Sequence, residues 1–245
     1  MFFLEKPMDP STLIVISHYA IRQKVSLENL LSQARAVGVD IVLVINDDNV
    51  HEDQIYVEDG IKYIKRQNVG MNIAAWWCAY SKFSNYENYI FFQDECVIIN
   101  NNFVSAYISK LSQSNVGLVG ESINYKWDRP WLEIANSGLN YQIQINNSPI
   151  SRVNFYLLML RHWNINPGSS GKHMRALVWA FKRSTLEKIG AFPMGINKDE
   201  CIAAEIAVSK KIEEIGLLVE QAGPLPFLYV KHLEWRSDGM SKLPQ

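Results

Sequence analysis

Two carboxylates stand side by side in an apolar stretch, YIFFQDECVII at residues 89–99, where Gln93, Asp94 and Glu95 interrupt what otherwise reads as one buried strand. Burying neighbouring acids is costly unless a positive partner meets them. Adjacent carboxylate oxygens are how a hard divalent cation, Mg2+ or Mn2+, is held against a diphosphate, so the stretch is a candidate metal platform. A second acidic pair, Asp199 and Glu200, opens the helical pattern DECIAAEIAVSKKIEEIG. Such acids could take a proton from a hydroxyl, although a helix start favours acids in any case. Glu205, a turn or so further on, is a third candidate base.

Polar clusters follow three other apolar runs. Ser17, His18 and Tyr19 follow TLIVI; Asn46, Asp47 and Asp48 close DIVLVINDD; and Arg66, Asn68, Gly70 and Asn72 fall in RQNVGMNIAAWW. Singly these have ordinary explanations. His18 and Tyr19 suit a loop, and Asn-Asp-Asp suits a turn. The Arg66–Trp76 segment is harder to dismiss, because a cation, amides and a glycine precede a helix start whose free N–H groups favour phosphate. Trp76 and Trp77 read as core packing.

The elements that must position these residues alternate. The run TLIVIS is apolar on both faces, as in a sheet covered on each side. SLENLLSQARAVG supplies a helix with Ser26 as its cap and Gly38 as its end, and DIVLVINDD repeats the strand. Strand, helix, strand predicts a right-handed parallel unit. The order continues with IKYIKR, NIAAWWCAYSKF, YIFFQ, NFVSAYISKLSQ and VGLVGES, giving an α/β sheet over residues 12–122. Residues 123–172, rich in Asn, Trp, Tyr and Pro, read as an insertion with one helix, SRVNFYLLMLRHW, and a loop, NPGSSGKH, that could close over a ligand. The helix could also touch a membrane, though burial is the stronger reading. A strand and a short helix with Ser184 and Glu187 at capping-box spacing, the long acidic helix and a last strand, FLYVKH, complete one expected domain. Ligands of such sheets bind outside the carboxyl ends of the strands, where all four clusters fall.

Several classes are disfavoured. The 24 basic and 25 acidic residues give a net charge of −1, too little to draw the chain onto nucleic acid. The opening MFFLEKPMDP lacks the apolar core of an export signal, so a cytoplasmic protein is expected. Cys78, Cys96 and Cys201 lack metal spacing and suit core thiols. No GxGxxG follows the first strand and no P-loop occurs.

Taken in order, VISHY, VINDDN, RQNVGMNIAAW and FFQDECVI resemble glycosyltransferases of the GT-A fold, particularly the rhamnan-synthesis-F type that builds bacterial surface polysaccharide such as capsule or O-antigen. Those enzymes carry a His-Tyr, an Arg-x-Asn-x-Gly-x-Asp-x-x-x-Trp motif and an Asn-Asp-Ser. Here His18, Tyr19, Arg66, Asn68, Gly70 and Trp76 match, whereas Asn72 replaces the Asp and Gln93-Asp94-Glu95 replaces Asn-Asp-Ser. The resemblance covers residues 12–99 well and 175–235 loosely. It implies a mostly parallel central sheet and transfer of a sugar from a nucleoside diphosphate to a glycan or lipid-linked acceptor, most simply with inversion. It implies a donor site of His18, Tyr19, Asn46, Asp47, Arg66, Asn68, Gly70, Asn72, Gln93 and Asp94. Asp94 and Glu95 would hold Mn2+ or Mg2+, with His232 of LYVKH completing the shell, and Asp199 or Glu200 would be the base. Lys172, His173 or Arg175 could reach the diphosphate, and the acceptor could bring the protein to the inner membrane. Two rivals share the sheet: a sugar nucleotidyltransferase, which would carry a basic glycine-rich loop where SHYAIRQK stands, and a sugar-nucleotide-binding module without turnover.

Overall fold

The computed structural model describes residues 11–145 and 147–235, so the opening MFFLEKPMDP lies outside the described residues. In chain order the strands and helices are β1 Thr12–Tyr19, α1 Val25–Arg35, β2 Asp40–Asn46, β3 Gln54–Glu58, β4 Ile61–Arg66, α2 Met71–Lys82, β5 Asn88–Gln93, β6 Cys96–Ile98, α3 Phe103–Leu111 and β7 Val116–Gly120. There follow α4 Trp131–Ala135, β8 Gln142–Ile145, β9 Ser148–Ser151, α5 Arg152–His162, β10 Val178–Lys182, α6 Arg183–Ile189, α7 Lys198–Glu214, β11 Leu218–Gln221 and β12 Val230–His232.

Eight strands form one sheet in the order β11-β7-β10-β5-β1-β2-β4-β3, mostly parallel, with β10 and β3 running against their neighbours. The unbroken apolar run of β1 is explained by cover on both faces. Leu13 and Val15 pack with Trp76 of α2 and Val208 of α7, while Ile14 and Ile16 pack with Leu30 of α1 and Phe103 of α3. Burying such side chains yields about 1.5–3 kcal/mol each, which fixes the strand positions and so their ends. The parallel register sets Tyr19 beside Asn46 and Asn46 beside Arg66, and sets Ser17 beside Gln93. Because β10 runs the other way, it begins at this same edge and brings residues 173–177 there.

Several expectations change. YIFFQDECVII is not one strand: β5 stops at Gln93, Asp94 and Glu95 form a turn, and β6 leaves the sheet to pair with β12. A turn exposes backbone that a continuous strand would hide, and it lets both carboxylates face other partners. The last strand shrinks from FLYVKH to β12, and the segment 116–122 forms a strand only to Gly120. α1 starts at Val25 without a side-chain cap from Ser26, and α6 starts at Arg183, where Glu187 pairs with Arg183 at 3.6 Å instead of closing a capping box. Residues 123–172 hold α4, the β8–β9 hairpin and α5. The core of that segment buries Phe155, Tyr156 and Leu160 of α5 against Ile206 and Ala207 of α7, so most of this helix's apolar surface is internal. The NPGSSGKH loop is tied down: Trp131 Nε1 donates to the Pro167 carbonyl at 3.0 Å and Gly171 N to the Arg129 carbonyl at 3.3 Å.

Candidate functional site

A cleft of about 200 Å3 opens at the carboxyl ends of β1, β2 and β5 and the start of α2. It is lined by His18, Tyr19, Asn46, Asn68, Asn72, Gln93 and Asp94 from the sequence-derived set and by Ser17 of the same strand-end cluster, together with Arg22 and Met71, which sequence reasoning missed. Arg66, Asp47 and Gly70 sit behind this lining. Arg66 donates to Asn46 Oδ1 at 2.7 Å and to the Val69 carbonyl at 2.9 Å, tying β4 to β2 and to the approach of α2. Asp47 pairs with Lys65 at 3.0 Å. A hydrogen bond from the Asn49 backbone, then the Lys65 ammonium, lower its pKa. Gly70 caps α2 at φ +76°, where a Cβ would stand 2.5 Å from that of Ala74, so the turn into the helix by itself calls for glycine.

The acids are already paired. His18 Nδ1 lies 2.5 Å from Asp94 Oδ2. A carboxylate only accepts, so Nδ1 carries a proton, and the buried Nε2 has no partner among the described residues. Arg22 Nη1 is 2.5 Å from Glu95 Oε1 and 3.7 Å from Asp94 Oδ1. Burial opposes the charged guanidinium, but Glu95 and Asp94 outweigh it and raise its pKa. His232 accepts the Glu234 amide on Nδ1 at 3.2 Å, which puts its proton on Nε2, 3.0 Å from Gln93 Oε1 and 3.5 Å from Glu95 Oε2. That imidazole, with the Arg22 guanidinium, holds the Glu95 carboxyl below the usual range against the effect of burial.

A divalent cation therefore has suitable donor chemistry here but not a suitable arrangement. Among the described residues no group of three His, Cys, Asp or Glu side chains is placed to hold a metal ion. The oxygens that would bind one are on Arg22, His18 and His232. An ion at Asp94 and Glu95 would have to displace Arg22, whose side chain is half exposed.

The helix-start acids divide. Glu200 accepts from Ile196 N at 2.8 Å and Asn197 Nδ2 at 2.9 Å, while Asn197 Oδ1 accepts from Glu200 N at 3.0 Å. This reciprocal cap engages both of its oxygens at the N-terminus of α7. Asp199 lies in the same first turn, near enough to Tyr156 to raise its pKa slightly beyond the effect of burial. Glu205 instead reaches the sheet edge, where Oε1 is 3.3 Å from His173 Nε2. The segment carrying His173 abuts the cleft, since the Ala176 carbonyl accepts from Gln93 Nε2 at 2.6 Å and from Asn72 Nδ2 at 2.9 Å. Arg175, buried, donates to Ser122, Ile123 and Asn124. Lys172 lies at the edge of the tied-down loop, where its amide is 3.4 Å from Ser170 Oγ.

No family model and no curated protein matches the sequence. Solved structures do. A mannosyltransferase from Pyrobaculum calidifontis, described in complex with GDP-Man and Mn2+, aligns over 89% of this chain at 14% identity with a TM-score of 0.50. The fold is of the GT-A type. The chain spans 58% of that enzyme's length. Glucosyl-3-phosphoglycerate synthase from Mycobacterium tuberculosis aligns over 94% of this chain and 74% of its own, at 13% identity and a TM-score of 0.48. A CMP:2-keto-3-deoxy-manno-octonic acid synthetase aligns over 86% and 88%, at 15% identity and a TM-score of 0.47. The cleft lies at the carboxyl ends of the parallel strands of this sheet, and residues 173–177 lie beside it. No helix among the described residues is long and apolar enough to cross a membrane.

Proposed function

We propose that the protein is a glycosyltransferase that moves a sugar from a nucleoside diphosphate sugar to a glycan or lipid-linked acceptor in bacterial surface polysaccharide synthesis. The observation that carries this reading is the convergence of four strand-end clusters on one cleft of a GT-A-type sheet. Asn46, Asn68 and Tyr19 would meet the base or ribose. Arg22 and the first amides of α2 would face the diphosphate, stabilising the charge that develops as it leaves. His18 Nε2 would hydrogen-bond a donor hydroxyl. Glu205, held by His173 next to the Ala176 peptide, is the acid best placed to remove the acceptor proton, and direct displacement would invert the anomeric centre. A divalent metal stays part of the reading through the resemblance and through the Mn2+ of the mannosyltransferase, but the present arrangement of Asp94, Glu95 and His232 does not fit one and no step is assigned to it.

The test is release of nucleoside diphosphate from a panel of nucleotide sugars, with and without Mn2+, by the wild type and by the double variant Asp94→Ala, Glu95→Ala. Release lost in the variant supports the site. Pyrophosphate made from NTP and a sugar phosphate would identify a nucleotidyltransferase, and nucleotide-sugar binding without turnover a silent module.

A further inference from the structure

We propose that the Arg22 guanidinium is the built-in cation of this donor site, so that the diphosphate is bound and released without a divalent metal. This rests on the glycosyltransferase reading and replaces the metal carried over from the resemblance. A diphosphate brought up to two carboxylates is repelled unless a cation meets both. Asp94 and Glu95 already share one: Arg22 Nη1 is 2.5 Å from Glu95 Oε1 and 3.7 Å from Asp94 Oδ1, and the same residue lines the donor cleft. Its backbone is fixed there. The turn that follows β1 is closed by Arg22 N on the Tyr19 carbonyl and anchored by Ala20 N on the Asn46 carbonyl, each at 2.9 Å. Arg22 is thus carried by β1 and β2, two of the strands whose ends build the cleft.

The other oxygens are engaged by donors that an ion cannot share. Asp94 Oδ2 accepts from His18 Nδ1 at 2.5 Å, and Glu95 Oε2 lies 3.5 Å from His232 Nε2. That nitrogen carries its proton, because Nδ1 accepts the Glu234 amide at 3.2 Å, and so it has no lone pair to give a metal. Gln93 is spent at both ends of its amide: Oε1 accepts from His232 at 3.0 Å and Nε2 donates to the Ala176 carbonyl at 2.6 Å. Displacing Arg22 would free only Glu95 Oε1 and Asp94 Oδ1, in competition with a charge tethered to the site. A guanidinium can do what the ion would do. It stays charged at neutral pH, and its five N–H donors let Nη1 hold the carboxylates while the exposed part of the group meets phosphate oxygens. As the bond from the anomeric carbon to the diphosphate breaks, the diphosphate oxygen keeps the electron pair and these N–H groups meet the added charge. The acceptor oxygen bonds the anomeric carbon, and its proton passes to Glu205.

Calorimetric titration tests this. Inorganic pyrophosphate, UDP and GDP are titrated into the wild type, Arg22→Met and Arg22→Lys in EDTA, and again with Mn2+ in place of EDTA. The wild type should bind pyrophosphate and at least one nucleotide in EDTA, and Mn2+ should leave those affinities within about threefold. Arg22→Met should weaken them about tenfold or more in EDTA, through loss of a charge-assisted contact, and Mn2+ should recover the loss. Arg22→Lys should keep part of the affinity. Release of nucleoside diphosphate from a nucleotide sugar by the wild type should survive EDTA. Wild-type binding that needs Mn2+ overturns the proposal, as does binding in EDTA that Arg22→Met leaves undiminished, or no binding of any of the three probes. Should neither variant fold, the wild-type comparison decides alone. Release of nucleoside diphosphate that requires Mn2+ would remove the built-in cation and keep the glycosyltransferase reading. Pyrophosphate binding in EDTA that is lost in Arg22→Met, in a protein that turns over no nucleotide sugar, would keep the cation and remove that reading.

Discussion

One guanidinium nitrogen, Nη1 of Arg22, serves both carboxylates of the acidic turn, at 2.5 Å from Glu95 and 3.7 Å from Asp94. Arginine and a divalent cation would compete for the same oxygens. Arg22→Met should therefore bind Mn2+ more tightly than the wild type, visible as a larger Mn2+-induced rise in Tm. The substitution itself should cost at most about 1 kcal/mol, because the side chain is half exposed. An equal Mn2+ effect in both proteins would show that Arg22 does not guard the site.

Acid should weaken the same cluster. His232 and Arg22 lower the Glu95 pKa below its unfolded value, so the stabilisation is present above the unfolded pKa, about 4.3, and is lost as pH falls through the folded one. Urea unfolding at neutral pH and at stepwise lower pH should show Glu95→Gln costing about 1–2 kcal/mol at the first and progressively less as the pH falls below the unfolded value. A penalty that does not shrink as the pH is lowered would contradict the linkage.

Gly70 couples fold to site. At φ +76°, with Ala74 where a Cβ would go, Gly70→Ala should cost about 1–3 kcal/mol through backbone strain and contact. It should also displace the start of α2, which carries Asn72 and Met71 into the cleft. The urea midpoint and UDP or GDP affinity should fall together. A stable variant with weakened nucleotide binding would instead mean that the glycine touches the ligand.

The parts of this site that sequence made visible are those governed by local pattern. Apolar runs predicted β1, β2 and β5, and parallel register then placed Tyr19, Asn46 and Arg66 side by side, as polar strand ends suggested. The Asn197–Glu200 cap went unread, although Asn-x-x-Glu is close to the spacing such a box needs. What else escaped depends on long-range contact. β3 is exposed throughout, so it carries no apolar period, and only its Asp59-Gly60 turn, both residues at positive φ, announces the hairpin. Arg22 sits in an ordinary loop and acquires meaning when β5 ends beside β1. β12 is too short to be separated from its neighbours by composition, yet it delivers His232 to Gln93 and Glu95.

The acids of α7 can be told apart by what each already holds. Glu200 has both oxygens on its own helix start, so Glu200→Gln should cost about 0.5–1 kcal/mol of stability and leave kcat within a small factor. Asp199 shares that first turn of α7, ahead of Glu205 on the same helix, and Asp199→Asn should likewise change kcat little. Glu205 faces the border of the donor cleft through His173. Loss of a general base typically removes about 10^2–10^4-fold in rate, so Glu205→Gln should lower kcat by that order while nucleotide affinity is kept. His173→Ala, which removes only the group orienting Glu205, should fall between wild type and Glu205→Gln, with the pH profile of kcat displaced. A rate collapse in Asp199→Asn or Glu200→Gln with Glu205→Gln active would move the base to the helix start, where sequence had first put it.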